Sequence, residues 1–87
     1  MPNTASAKKR MRQEVKRRLH NRMVKSIVKT HISKARAAIS SGENPEEAVR
    51  AAVSELDRAA KKGVIHRNNA ARRKSRLMKQ LNASIQH

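Results

Sequence analysis

The sequence predicts an all-α fold: an antiparallel three-helix bundle with a long N-terminal helix that projects beyond it. Three observations carry this expectation. Apolar residues recur at three- and four-residue spacing, with no alternating run that suggests a strand. Two turn signals divide the pattern, one around Gly42 and one around Gly63. Aromatic residues, among the strongest strand formers, are absent. With 87 residues the chain fits one domain, residues 1–87, whose small core promises marginal stability.

The first helix is expected over about residues 7–41. Val24, Ile27, Val28, His31, Ala35, Ala38 and Ile39 share one stripe, with Arg18, Arg22, Lys25, Lys29 and Arg36 on the opposite side. Before about residue 20, Lys8, Lys9, Arg10, Arg12, Lys16, Arg17 and Arg18 surround the helix, and Met11 and Val15 fall on its basic side. In "SSGENPEE", Gly42 stops this helix. Asn44 is the expected N-cap of the next, with Pro45 in its first turn and Glu47 completing a capping box.

The second helix, about 45–61, presents Ala48, Val49, Ala52, Val53, Leu56, Ala59 and Ala60 as an apolar face. Glu46, Glu47, Glu55 and Asp57 are placed outward. Gly63 follows its Lys-rich last turn, the usual helix stop. The third helix, about 66–84, turns Ala70, Ala71, Leu77, Met78 and Leu81 inward and Arg72, Arg76 and Lys79 outward. Lys74 falls in the apolar sector, so its stem is expected to pack while its ammonium reaches the edge. Helices two and three are too short to flank all of helix one. Its first dozen or so residues therefore project, and should fray in water.

Charge narrows the function. Twenty-two Lys and Arg against six Asp and Glu give a net +16, which opposes compaction unless a polyanion neutralises it. The charge is segregated. Residues 1–36 hold twelve basic side chains and one acidic, residues 43–57 hold five acidic and one basic, and residues 58–79 hold nine basic and none acidic. An exposed helix usually sets Glu four residues from Lys, and neither basic block does so. Order is expected to increase on a polyanionic partner.

Other classes find little support. There is no cysteine, hence no disulfide or thiolate metal site, which suits a reducing compartment. No run of eighteen apolar residues spans a membrane, and the Ala-rich faces lack the Trp and Phe of a membrane-surface helix. The basic N-terminal stretch has no apolar segment behind it, unlike a secretory signal. His20, His31, His66 and His87 lie apart, no two at i, i+4, and no phosphate loop or nucleophile motif is present. Glu46 and Glu47 suit a helix dipole better than acid–base chemistry. No enzyme, cofactor, metal or small-molecule substrate is expected.

Nucleic acid remains. Without aromatic side chains, base stacking is largely closed, and phosphate contact is the expected mode. Arg17, Arg22, Arg72 and Arg76 offer guanidinium forks; Lys8, Lys9, Lys25 and Lys29 offer point charges. In "HRNNAARRKSR", Asn68 and Asn69 can donate to ribose or phosphate, and Ala70 and Ala71 permit a close approach by another backbone. Positive charge alone does not separate RNA from duplex DNA, so a histone-like architectural DNA-binding protein stays open as the alternative.

Three segments carry a resemblance: "SAKKR" at 6–10, "HNRMVKSIVKT" at 20–30 and "LDRAAKKGVIHRNNAARRKSRL" at 56–77. Over about residues 6–82 the chain resembles the bacterial and plastid small-subunit ribosomal protein family conventionally numbered twenty. The resemblance implies a three-helix bundle with a long first helix and no enzymatic activity. It also implies direct binding to small-subunit ribosomal RNA early in assembly, at the 5′ domain and the long penultimate helix. The protein would be a monomer within the ribosome, in the cytoplasm or a plastid stroma.

Carried across by position, the RNA-facing candidates begin with Ser6, Lys8, Lys9 and Arg10. They continue with His20, Asn21, Arg22, Lys25, Ser26, Lys29 and Thr30, then Gly63, His66, Arg67, Asn68 and Asn69, and end with Arg72, Arg73, Lys74, Ser75 and Arg76. The charge pattern adds Arg12, Lys16, Arg17 and Arg18. "MPNTA" is slightly longer than the family's opening, and "THIS" at 30–33 sets His31 where an aliphatic residue is expected, a polar spot in the core.

Overall fold

The computed structural model describes residues 4–85; Met1–Asn3 of the N-terminal extension and the terminal His87 lie outside them. Three helices follow in order: α1 (Ala5–Ser41), α2 (Pro45–Lys61) and α3 (Arg67–Ile85). They run up, down and up around one core, and no strand occurs among the described residues. The molecule measures 64 × 21 × 16 Å. A 37-residue helix is about 55 Å long at 1.5 Å per residue, so α1 sets the long dimension.

α1 begins earlier than the apolar pattern indicates because Thr4 caps it. The Ala7 N–H donates to Thr4 Oγ1 at 3.2 Å, supplying a partner to one otherwise free N-terminal amide. At the other end Gly42 adopts φ 78° and donates its N–H to the Ala38 carbonyl at 2.8 Å, a left-handed stop.

The expected capping box at α2 does not form. Asn44 sits at φ 47°, ψ 49°, and its side chain makes no cap hydrogen bond. An N-cap residue needs extended backbone to swing its side chain over the first turn, and this left-handed conformation forfeits that geometry. Pro45, Glu46 and Glu47 still suit the helix start, through a preset φ and through the dipole. α2 ends in a Schellman motif. With Gly63 at φ 76°, its N–H donates to the Ala60 carbonyl and the Val64 N–H to the Ala59 carbonyl, each at 3.0 Å. α3 starts at Arg67, leaving His66 as the last residue of the turn.

The core comprises Val24, Val28 and Ala35 from α1, Val49, Ala52, Leu56 and Ala59 from α2, and Ala70, Leu77 and Leu81 from α3. Leu56, Leu77, Val28 and Val49 are its largest fully buried side chains. α2 presents its apolar face as expected, while the other two helices are rotated from expectation. On α1, Ile27 is 40% exposed and Ile32, five residues on, packs against the core in its place. On α3, Ala70 is buried, whereas Ala71 and Met78 are exposed. A helix in a small bundle buries a narrow arc, and residues 100° outside it meet solvent. His31 is half-buried at the core's margin.

The projection is longer than a dozen residues. Val24 is the first buried side chain of α1, and from Lys8 to Met23 every residue except half-buried Asn21 is exposed.

Candidate nucleic-acid interface

The projecting half of α1 is held by its own backbone ladder and by Thr4. Ser6 sits in the first turn with its hydroxyl 3.2 Å from that of Thr4. Beyond it Lys8, Lys9, Arg10, Arg12, Lys16, Arg17 and Arg18 are all exposed, with Glu14 the single carboxylate on the helix. Two ion pairs occur among the described residues, Arg58–Glu55 at 3.1 Å and Lys74–Asp57 at 2.9 Å, and neither involves α1. The α1 cations are thus free to meet an external anion. His20, Arg22, Lys25, Ser26, Lys29 and Thr30 are likewise exposed. The Thr30 hydroxyl donates to the Ser26 carbonyl at 3.0 Å, so toward a partner it offers chiefly acceptor capacity.

The cations of α1 and α3 are not spread over opposite flanks. One concavity beside the core is lined by Lys29, Ile32, Ser33, Arg36, Arg73, Arg76 and Leu77. The next, of about 380 Å³, is lined by Lys25, Val28, Val64, Ile65, His66, Asn69 and Arg73. A third continues onto the projecting helix, between Arg18, Asn21, Arg22 and Lys25. Arg73 and Lys25 each border two of these, which makes a continuous basic seam along α1 and α3. The row Arg18, Arg22, Lys25, Lys29, Arg36 therefore flanks the α3 side of α1, and does not lie diametrically opposite the core. Arg36 and Ser33 join the seam without having been among the expected site residues. The signal for Arg36 was its place in that row, seven residues beyond Lys29.

The turn into α3 is organised by His66. Its Nδ1 accepts from the Asn68 N–H at 3.1 Å, doing the work of an N-cap side chain. Gly63, Arg67 and Asn68 are exposed around it, and Asn69 is half-buried. Asn69 Oδ1 is shielded from solvent and has no hydrogen-bond partner. Ala70 packs inward and Ala71 stays bare to solvent, so one of the two small residues is available for close approach. Arg72, Arg73, Ser75 and Arg76 are exposed. Lys74 behaves as its position suggests, half-buried at the bundle edge, but its ammonium turns to Asp57 on α2.

Carboxylates gather on α2. Glu46 and Glu47 are exposed in its first turn. Glu55 is less outward than expected: its side chain is 23% exposed and accepts from Arg58. Four of the five carboxylates carried by the three helices thus lie on α2, which makes it the helix least suited to a polyanion. No described helix is long and apolar enough to cross a membrane.

A family model for ribosomal protein S20 matches residues 2–82, nearly the whole chain. The chain belongs to the ribosomal protein S20 family. Among its relatives, the small ribosomal subunit protein bS20 of Thermomicrobium roseum is 53% identical over 98% of this chain and 88% of its own length. That of Roseiflexus sp. is 60% identical over 91% and 88%. That of Ruminiclostridium cellulolyticum is 49% identical over 97% and 99%. Within the S20 family's matched span lie the projecting helix, the basic seam and the His66 turn, so the match takes in the whole surface described above.

Proposed function

We propose that this chain is a structural, non-catalytic constituent of the small ribosomal subunit, acting in the cytoplasm as part of the ribosome and binding small-subunit ribosomal RNA directly. The observation that carries the proposal is the seam: exposed Lys25, Lys29, Arg36, Arg73 and Arg76 from two helices, free of carboxylate partners, prolonged by the bare cationic half of α1. The names of the relatives support the ribosomal setting.

The shape suggests how the chain works. The seam neutralises phosphates of one RNA segment while the projecting helix reaches a second, tying separate parts of the RNA together during assembly. By the family resemblance these are the 5′ domain and the long penultimate helix. α2, carrying the carboxylates, faces away. Recognition is by shape, phosphate and ribose more than by base edges, since no aromatic platform exists.

Binding of purified small-subunit ribosomal RNA across a salt series tests this. If about eight phosphates are neutralised, log affinity falls against log salt with a slope of roughly −7. Unlabelled duplex DNA should displace the RNA poorly. A slope near −1, or full displacement by the duplex, would overturn the reading, the latter in favour of an architectural DNA-binding protein.

A further inference from the structure

Where α1 passes the turn into α3, the seam deepens into the pocket of about 380 Å³ that runs from Lys25 to Arg73. Its size falls within the range of small-ligand sites. Resting on the RNA-binding reading, we propose that it receives one unpaired ribonucleotide of the bound RNA. The base lies against the aliphatic wall and the phosphate lies between Lys25 and Arg73.

The lining is what distinguishes this pocket from a plain phosphate site. Val64 and Ile65 are half-buried and Val28 is buried, so an apolar wall stands directly beside two cations. A phosphate alone makes no use of such a wall. A nucleobase does, because its flat face gains by leaving water, and this chain has no Phe, Tyr or Trp on which to stack it.

Two polar groups complete the fit. His66 Nδ1 is occupied in accepting the Asn68 N–H, which in the neutral imidazole leaves the proton on Nε2 as a donor for ribose or phosphate. Asn69 Oδ1 has no donor, an unusual state for a shielded carbonyl oxygen. The side-chain amide carries both a donor and an acceptor, the combination that a base edge presents in return. Turned into the pocket about its side-chain torsions, it finds in a base the partner that its oxygen lacks in the free protein.

The test compares wild type, Asn69→Ala and Asn69→Leu on purified small-subunit ribosomal RNA, with helicity checked by circular dichroism. Base-specific chemical probing should show one nucleotide whose protection by wild type is lost with both variants, while the backbone footprint elsewhere persists. Affinity should fall on the order of tenfold, the effect of one lost base contact, with the salt slope unchanged because no charge is removed. Titration with free mononucleotides at millimolar concentration should leave the RNA complex intact.

A base footprint identical for wild type and both variants, or a salt slope that falls with Asn69→Leu, would overturn the proposal. So would displacement of the RNA by a mononucleotide. Absence of any wild-type footprint would instead defeat the RNA-binding reading itself, so the two failures are separable.

Discussion

Lys74 Nζ lies 2.9 Å from Asp57 Oδ1, joining the middle of α3 to the last turns of α2. The lysine comes from the cationic helix and the aspartate from the acidic one, so the pair marks the border between the two surfaces. Their side chains are 37% and 56% exposed, and solvent screens the attraction. Asp57→Ala should therefore cost under about 1 kcal/mol in urea denaturation. It also frees a cation on α3, so RNA affinity should hold or rise. A large loss of affinity would mean that Asp57, and with it α2, faces RNA.

Leu56 is the anchor of α2, fully buried in the core that the three helices share. Leu56→Ala should cost about 2–5 kcal/mol, the transfer of the side chain plus the void it leaves. In so small a domain that approaches the total stability, and the urea midpoint should drop sharply. A cost below about 1 kcal/mol would mean that the core closes over the gap.

Gly63 isolates a backbone effect. A Cβ added there would meet nothing within 4 Å, yet the residue stands at φ 76° in the Schellman turn. Gly63→Ala should then destabilise by about 1–2 kcal/mol through the left-handed conformation alone. The same change at an exposed site with ordinary φ should be near neutral.

Amide hydrogen exchange should divide α1 in two. Residues 5–23 lack buried side chains, so in the free protein their amides should exchange quickly, whereas those of Val24 to Ala35 are protected by the core. Addition of RNA should slow exchange in the first segment most. Equal protection along the whole free helix would contradict this.

Arg73 borders two of the three seam concavities and Arg76 one of them. Replacing each with Ala should weaken RNA binding and reduce the magnitude of the salt slope by about 1 per residue. Both side chains are exposed, so helicity should be kept. Glu46→Ala should leave binding intact or slightly tighter.

Much of the fold was legible in local pattern. The apolar face of α2, the stops at Gly42 and Gly63 and the absence of strands follow from spacing and backbone preference. Such rules failed where a few tens of degrees mattered. Ile27 and Ile32 both lie near the edge of α1's apolar stripe, and which one packs depends on where α2 and α3 sit. Asn44 has the composition of an N-cap, but the tight passage from Gly42 to Pro45 leaves it left-handed. The role of His66 as a cap was hidden, since a ring nitrogen accepting a backbone N–H has no compositional signature.

The candidate interface divides in the same way. Segregated charge and missing carboxylates pointed to a polyanion and to candidate residues for meeting it. Their union into one surface could not be read along the chain, because Lys25 and Arg73 are neighbours only through the packing of α1 against α3.

By itself, then, the sequence determined three helices, their approximate limits, the net charge and the kind of partner, because helix periodicity and Coulomb repulsion act locally or on the whole composition. Tertiary structure alone decided where along α1 the core begins, that the cations of two helices share a seam, and that Lys74 answers Asp57. Each of these depends on the rotation and offset of rigid helices about a shared core, and side-chain packing fixes those once all three are present.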